Sequence, residues 1–502
     1  MVRSEDRPTP VGIRPLYDVE ETPPFLRLLP LSLQHVFAMF GATVLVPILT
    51  GLDVQAALLA SGLGTILFLL VTRGQIPNYL GSSFAFIGPI LTVTHAAGVG
   101  AALLGAFLSG VLYLVFAWLV HRAGTRWLDA VLPPVLVGSI VAVIGLALSG
   151  VAVSWALTDP LQPQGGNSLA AAEVALVTVA IVLFVNLYGR GLLGVLPVLT
   201  GVVLGTGYAY LRHPDWFTAG PDGGFVGKVA QAAWFLTPAE FFSRHAHTLE
   251  VARAALTPEA WLFALTIAPI AFVTLAEHIG HLLVTERVIG RPLVPLLPRS
   301  LLGDGLAVML AAWIGGPPST TYGENIGVLA VSRVYSRAVL FGAAVLAALL
   351  AFVEKLGAAL LAIPKPVLGG VMIVLFGVIA AQGLRMFVEY GVDLAHRRNM
   401  LLVAVVLVTG IGGFRLDLAG TFPGGVPFSL TVDNIALATL LGIFLHLVLP
   451  ERAVAYGRTT LTLAAQAAGG HASGRAEGPH GEDPRAALPP HHGGEDGSPS
   501  RT

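Results

Sequence analysis

The sequence predicts an all-α polytopic membrane protein of about fourteen transmembrane segments, built as two seven-segment inverted repeats. Three observations carry this reading. The 502 residues are 55% hydrophobic and 11% charged, with a mean hydropathy of +0.78, whereas ordinary soluble domains are about 25% charged. Apolar runs of roughly 20 residues recur along most of the chain, each long enough to cross a hydrocarbon core about 30 Å thick. Two interruptions rich in Gly, Pro, Ser and Thr fall at matching places, in the third segment of each half. Tandem duplication of an odd-numbered unit inverts the second copy and places a pseudo-twofold axis in the membrane plane.

The expected segments are 31–50, 54–72, 79–97, 99–120, 130–150, 170–187, 192–211, 261–283, 300–315, 318–332, 336–353, 366–384, 399–413 and 433–449. Short loops rich in Arg face the cytoplasm. With the N-terminus inside, those loops hold Arg73, Arg122, Arg126, Arg190, Arg287, Arg291, Arg299, Arg333, Arg337, Arg385, Arg397 and Arg398. The outer side is poorer in cations, and both termini are expected in the cytoplasm. The first 30 residues carry nine charges and no apolar stretch of leader type, so no cleaved signal is expected. The tail 469–502 is too polar to offset its chain entropy and reads as disordered. Its histidines read as solvated, and no metal site is assigned. Cysteine is absent, which excludes thiolate chemistry. No basic domain points to nucleic acid, and no Walker loop points to ATP drive.

The informative residues are the carboxylates inside apolar segments. A carboxylate in hydrocarbon costs roughly 2.5 kcal/mol or more. Glu277 and Glu324 each sit in such a place, and residues of this kind face polar cavities that handle ions or substrates. Glu277 and His281 are four apart and share a helix face. A carboxylate and an imidazole there can store and pass a proton; the inert alternative is a buried pair joining two helices. Glu324 follows the break Pro317–Gly323 and opens a helical run, where backbone N–H groups are free and the dipole is positive. Phe84 lies at the other break, Gly81–Pro89, where free N–H groups suit a carbonyl oxygen. His35 reads as a satisfied structural histidine. Asp304 lies near the cytoplasmic end of its segment, as suited to an exposed or capping role as to function. Glu354 and Lys355 sit at a segment end and are expected to reach water. Two carboxylates facing free N–H groups suit a neutral cyclic imide-like ligand, of which uracil is one.

The chain resembles the nucleobase–cation symporter family 2, the nucleobase–ascorbate transporters, and within it the bacterial uracil permeases. The resemblance runs from about Pro30 to Leu449. It rests on the stretch Leu31–Pro47, on Tyr79–Phe86, on Ala276-Glu277-His278-Ile279-Gly280-His281 and on Thr320–Arg333. Ser332 stands where Thr is usual.

The resemblance implies a core domain of 30–122 and 261–355, which binds substrate, and a gate domain of 127–211 and 364–450, with segments 3 and 10 each beginning in a short extended stretch before a half-helix. These are flanked by a cytoplasmic N-terminus (1–29) and an extracytoplasmic loop (212–260). It implies that Glu277 and Glu324 bind the nucleobase ring, that Phe84 and Gly323 donate backbone N–H groups to its carbonyls, and that Ala42 and Tyr322 neighbour it. His281 would be the proton-coupling partner of Glu277. Asn325, Phe376 and His35 would support the site; Phe376 is often Tyr in relatives. Glu at 324, where purine-selective relatives commonly carry Gln, favours uracil. The expected protein is a homodimeric uracil–proton symporter of the bacterial cytoplasmic membrane. It is not an enzyme, and it needs no cofactor beyond the coupling proton. The alternatives are a purine or xanthine permease, an anion exchanger of the same fold, and an intramembrane metal hydrolase prompted by His278 and His281.

Overall fold

A computed structural model describes residues 15–191, 193–219, 224–421, 427–432 and 434–450. The expected disordered tail lies outside them. The first half opens with α1 (Phe25–Thr50) and α2 (Val54–Val71). Asp53 starts α2 by accepting the N–H of Ala56 at 2.8 Å, satisfying one of the four orphan donors of a helix start. Next come β1 (Leu80–Ser82), a 3₁₀ turn at Phe84–Phe86 and α3 (Ile87–Ala123). Gly98 breaks α3 with φ 85°, a conformation that suits a residue without Cβ. The expected segments 79–97 and 99–120 therefore meet at this break with almost no loop.

A short α4 (Arg126–Val131) leads into α5 (Pro134–Ala147), α6 (Ser149–Leu157), α7 (Leu169–Tyr188) and α8 (Pro197–Arg212). The loop 212–260 folds into four short helices, α9 (Asp215–Thr218), α10 (Gly224–Gln231), α11 (Pro238–Arg244) and α12 (Thr248–Ala255).

The second half runs through α13 (Pro258–Ile267), α14 (Ile270–Ile289) and α15 (Leu297–Ile314), then β2 (Ser319–Thr321) and α16 (Gly323–Ser332). It continues with α17 (Arg337–Leu350), α18 (Glu354–Leu361), α19 (Lys365–Glu389) and α20 (Arg397–Ile411). It ends with β3 (Leu416–Thr421), β4 (Pro427–Val432) and α21 (Asn434–Val448). Among the described residues eight helical stretches are long and apolar enough to cross a membrane. The pair α17/α18, bent by 81°, supplies a ninth.

The gap between the expected segments 399–413 and 433–449 holds an antiparallel hairpin of β3 and β4, registered from Leu416↔Val432 to Thr421↔Pro427. Alternating apolar residues at Leu416 and Leu418, and at Phe428, Leu430 and Val432, give it the period of a strand.

Helix packing falls into two groups. In one, α1, α2, α3, α13, α15 and α17 lie against one another; in the other, α5, α6, α7, α8, α19, α20 and α21 do. Small residues let the backbones approach, since lipid gives helices no hydrophobic reason to associate. A Cβ on Gly62 would lie 2.5 Å from the carbonyl oxygen of Ala344, and one on Gly145 would lie 2.4 Å from that of Phe376. Helix α14, which carries Glu277, touches elements of both groups.

Candidate functional site

The two sequence interruptions meet. Strands β1 and β2 pair antiparallel with Leu80 opposite Thr321, Gly81 opposite Thr320 and Ser82 opposite Ser319. The ladder is extended by Tyr322 N–H to Tyr79 O and by Ser83 N–H to Pro318 O, both 2.9 Å. Irregular backbone at membrane depth must find partners within the protein, and here each break supplies the other's. Side chains close the remainder: Thr65 Oγ1 accepts from Leu80 N–H at 3.0 Å, and Ser61 Oγ donates to Leu80 O at 2.6 Å.

Each strand runs into a helix start, the 3₁₀ turn leading to α3 on one side and α16 on the other. The antiparallel pairing therefore brings two helix N-termini to one place. The N–H groups of Phe84 and Gly323 have no protein acceptor among the described contacts, as expected for the first turn of a helix. Both point their positive dipole ends at the crossing.

Tyr322 locks the crossing. Its hydroxyl donates to Ser82 O at 2.9 Å and lies 3.0 Å from Thr43 Oγ1 on α1. Its ring lies over Gly81, where an added Cβ would approach the ring carbons to 2.5 Å. Gly81→Ala is therefore expected to dislodge Tyr322 and to cost about 1–3 kcal/mol, the usual range for overpacking. The check is the melting temperature of the purified variant beside its transport rate, both expected to fall.

Glu277 and His281 lie on one face of α14, which packs against α16 and β2. His281 turns its Nδ1 to Thr321 Oγ1 at 3.0 Å, so its fixed partner is the strand. Its Nε2 lies 3.1 Å from where a Cβ of Gly323 would stand. The imidazole thus abuts the start of α16, and Glu324 follows directly. Glu277 is half-buried and Glu324 exposed. Carboxylates at membrane depth that keep accessible surface face a polar space rather than acyl chains.

The expected supporting residues fall around this point. Asn325 Nδ2 donates to His35 O at 3.0 Å and lies 3.2 Å from His35 Nδ1, tying α16 to α1. His35 is thereby a partnered, buried histidine. Ala42 is buried in the same apolar cluster as Tyr322, and Phe84 packs against that cluster. Phe376 on α19 meets Phe84 edge to face at 5.7 Å, so the two helix groups touch beside the crossing.

One expectation is corrected. Asp304 is neither exposed nor a cap: its side chain is 0% accessible and its Oδ2 lies 2.8 Å from His278 Nδ1, itself 0% accessible. The other ring nitrogen of His278 lies 2.7 Å from Ser300 Oγ. The misplacement came from the helix start. α15 begins at Leu297, which puts Asp304 seven residues, about 10 Å, into the helix. The signal was available: an acidic residue between Gly303 and Gly305 in an apolar run, with a histidine of opposite potential charge on the preceding segment. The two imidazoles read as a potential metal pair take separate partners. Among the described residues no group of three or more His, Asp or Glu is placed to hold a metal ion.

A family profile described as "Permease family" matches residues 26–418. The chain is 46% identical to the uracil permease of Bacillus caldolyticus over 443 residues, covering 88% of this chain and 96% of that protein. It is 43% identical to the uracil permease of Bacillus subtilis, covering 84% and 92%, and 40% identical to that of Escherichia coli K12, covering 86% and 93%. Among solved structures, the transmembrane domain of the cyanobacterial bicarbonate transporter BicA superposes with a TM-score of 0.51 at 14% identity, over 86% of this chain and 99% of that one. Murine Slc26a9, an anion transporter in the inward-facing state, superposes with a TM-score of 0.59 at 11% identity, over 85% and 68%. At such identities these structures speak to the fold alone, and the fold they share is the paired inverted repeat.

Proposed function

This chain belongs to the nucleobase–ascorbate transporter family of permeases, and from that premise we propose that it imports uracil together with a proton across the bacterial cytoplasmic membrane. The observation that carries the reading is the convergence of two carboxylates, Glu277 and Glu324, with the two acceptor-free N–H groups of Phe84 and Gly323 at one crossing. Uracil presents ring N–H groups to the carboxylates and carbonyl oxygens to the N–H groups. This is the complementary pattern, since a carboxyl group keeps an acceptor oxygen whether or not it holds a proton and backbone N–H groups only donate. Relatives named as uracil permeases at 40–46% identity support the same choice.

In the proposed cycle Glu277 and His281 take up a proton from outside, which favours binding. The substrate site then moves relative to the second helix group, and both ligands leave inside. The core group is α1–α3 with α13–α17, and the gate group is α5–α8 with α19–α21. Phe84 and Phe376 face each other across the boundary between them. The full complement of fourteen segments, cytoplasmic termini and a homodimer belong to this reading.

The deciding experiment is radiolabelled uracil uptake into proteoliposomes with an inward proton gradient, with and without a protonophore. Gradient-driven accumulation that collapses with the protonophore is the expected result. Facilitated equilibration without accumulation would retain the substrate and remove the coupling. Transport of xanthine in place of uracil would move the chain to the purine branch.

A further inference from the structure

The helices that carry the two site carboxylates, α14 and α16, end on the same side of the protein, and one short segment binds both ends. Residues 15–21 precede α1 and run along the cytoplasmic loops that follow α14 and α16. At α16, the N–H groups of Leu16 and Tyr17 donate to the carbonyl of Arg333 at 2.8 and 3.5 Å. Tyr17 then returns a bond, its carbonyl accepting from Tyr335 N–H at 2.8 Å, and Val19 O accepts from Arg337 N–H at 3.0 Å. Ser336 Oγ donates to Glu21 O. At α14, Arg291 stands just past the terminal Gly290 and makes a fork. Its Nη1 donates to Glu20 Oε1 at 2.6 Å, and its Nη2 donates to Asp18 Oδ2 at 2.6 Å and Glu20 Oε2 at 2.8 Å. Between the two attachments Val19 is wholly buried in the largest apolar cluster.

Two features say that the segment holds something under constraint. Arg333 ends α16 at φ 56°, a left-handed conformation that costs a residue with a Cβ about 1–2 kcal/mol; its carbonyl is the one the segment grips. Glu286 on α14 accepts with one oxygen the N–H groups of Leu293 and Val294 at 2.6 and 3.2 Å, fixing the turn that presents Arg291. Proximity to Arg291 holds the Glu20 carboxyl below its usual range. An exposed ion pair alone contributes little, but a bidentate arginine between two carboxylates, joined to a backbone ladder and a buried valine, is a network.

We propose that residues 15–21 act as a positioning strap that sets the spacing of α14 and α16, and through it the spacing of Glu277 and Glu324. The assignment rests on the site reading above. Along their helices Arg291 is about 21 Å from Glu277 and Arg333 about 14 Å from Glu324, from a rise of about 1.5 Å per residue. A shift at the pinned ends is thus transmitted by two rigid helices to the site. No strap residue touches the crossing itself, so its loss acts on affinity rather than on the proton step.

The test uses the full chain in proteoliposomes. Arg291→Ala and the double change Asp18→Asn with Glu20→Gln are expected to raise the KM for uracil about three- to twentyfold, a range typical of residues that act through a network, with kcat within about twofold. Arg291→Lys is expected to recover part of the loss. The exchange Arg291→Glu with Asp18→Arg and Glu20→Arg is expected to recover more than Arg291→Glu alone.

A second readout needs no substrate. The chain has no cysteine, so spin labels at Arg287→Cys and Val331→Cys, both exposed, report the distance between the pinned ends. A single narrow distance in the parent, broadened or shifted in Arg291→Ala, is expected. An unchanged distance overturns the proposal, and so does an unchanged KM beside a changed distance. If the parent does not transport uracil at all, the substrate reading fails, and the strap is judged on the distance alone.

Discussion

Glu277→Gln is expected to abolish gradient-driven uracil accumulation and to lower uracil affinity about ten- to hundredfold. Glutamine keeps the shape and one acceptor oxygen. It replaces the other oxygen by an NH₂ that points a donor at the ring N–H of the ligand, and it carries no titratable proton. A hydrogen bond to a charged group is worth about 1.5–3 kcal/mol, and each 1.4 kcal/mol is tenfold in affinity. Glu324→Gln is expected to show the same affinity loss with coupling retained, because Glu324 opens α16, where the helix start steadies a carboxylate, and it is Glu277 that lies on the His281 face of α14. The measurements are initial uptake rates, equilibrium binding by calorimetry, and proton flux recorded with an internal pH dye. An accumulation ratio in Glu277→Gln within threefold of the parent would remove Glu277 from the coupling step. Retained coupling in Glu277→Gln with lost coupling in Glu324→Gln would reverse the two roles.

Much of this site was legible before any coordinates. Glu277 and Glu324 stand out because charge in an apolar run is costly, and the cost is a property of the sequence. The breaks at Gly81–Pro89 and Gly315–Gly323 were visible because Gly and Pro interrupt helices whatever surrounds them. The resemblance implied a short extended stretch at each break, but their pairing as β1 and β2 was not visible, since a three-residue strand has no periodicity of its own and its register is fixed by Thr65, Ser61 and Tyr322 from elsewhere in the fold. The partner of His281 was hidden for the same reason. Helical spacing placed it with Glu277, while the strand placed Thr321 against its Nδ1. Residues 15–21 gave no signal at all: the stretch is short and lies outside every hydrophobic segment. What makes them matter is that two loops about 40 residues apart in sequence lie side by side beneath them.

Asp304→Ala is expected to destabilise the protein by about 1–3 kcal/mol, the range for leaving a buried polar group without its partner. The reason is the state of what remains. His278 would keep Ser300 at one nitrogen and face an apolar cavity with the other, between the rings of Phe68 and Tyr113, each 6.3 Å away. His278→Ala is expected to cost as much or more, because it leaves the Asp304 carboxyl without its side-chain partner in a site of zero accessibility. The pair as a whole is a different matter. Its mutual attraction is offset by the desolvation of both groups, so replacing both by apolar residues of similar volume is often neutral. Asp304→Leu combined with His278→Phe is therefore expected to lie within about 1 kcal/mol of the parent, a large non-additivity of the kind that residues in contact show. Thermal unfolding in one detergent of the parent, Asp304→Leu, His278→Phe and the double variant, read as a double-mutant cycle, checks this. Additive losses in the double variant would mean that the surroundings, including Ser300 and Tyr113, are built for a polar pair and do not close around an apolar one. In that case the pair fixes how α14 sits on α15, and with it the height at which Glu277 meets the crossing.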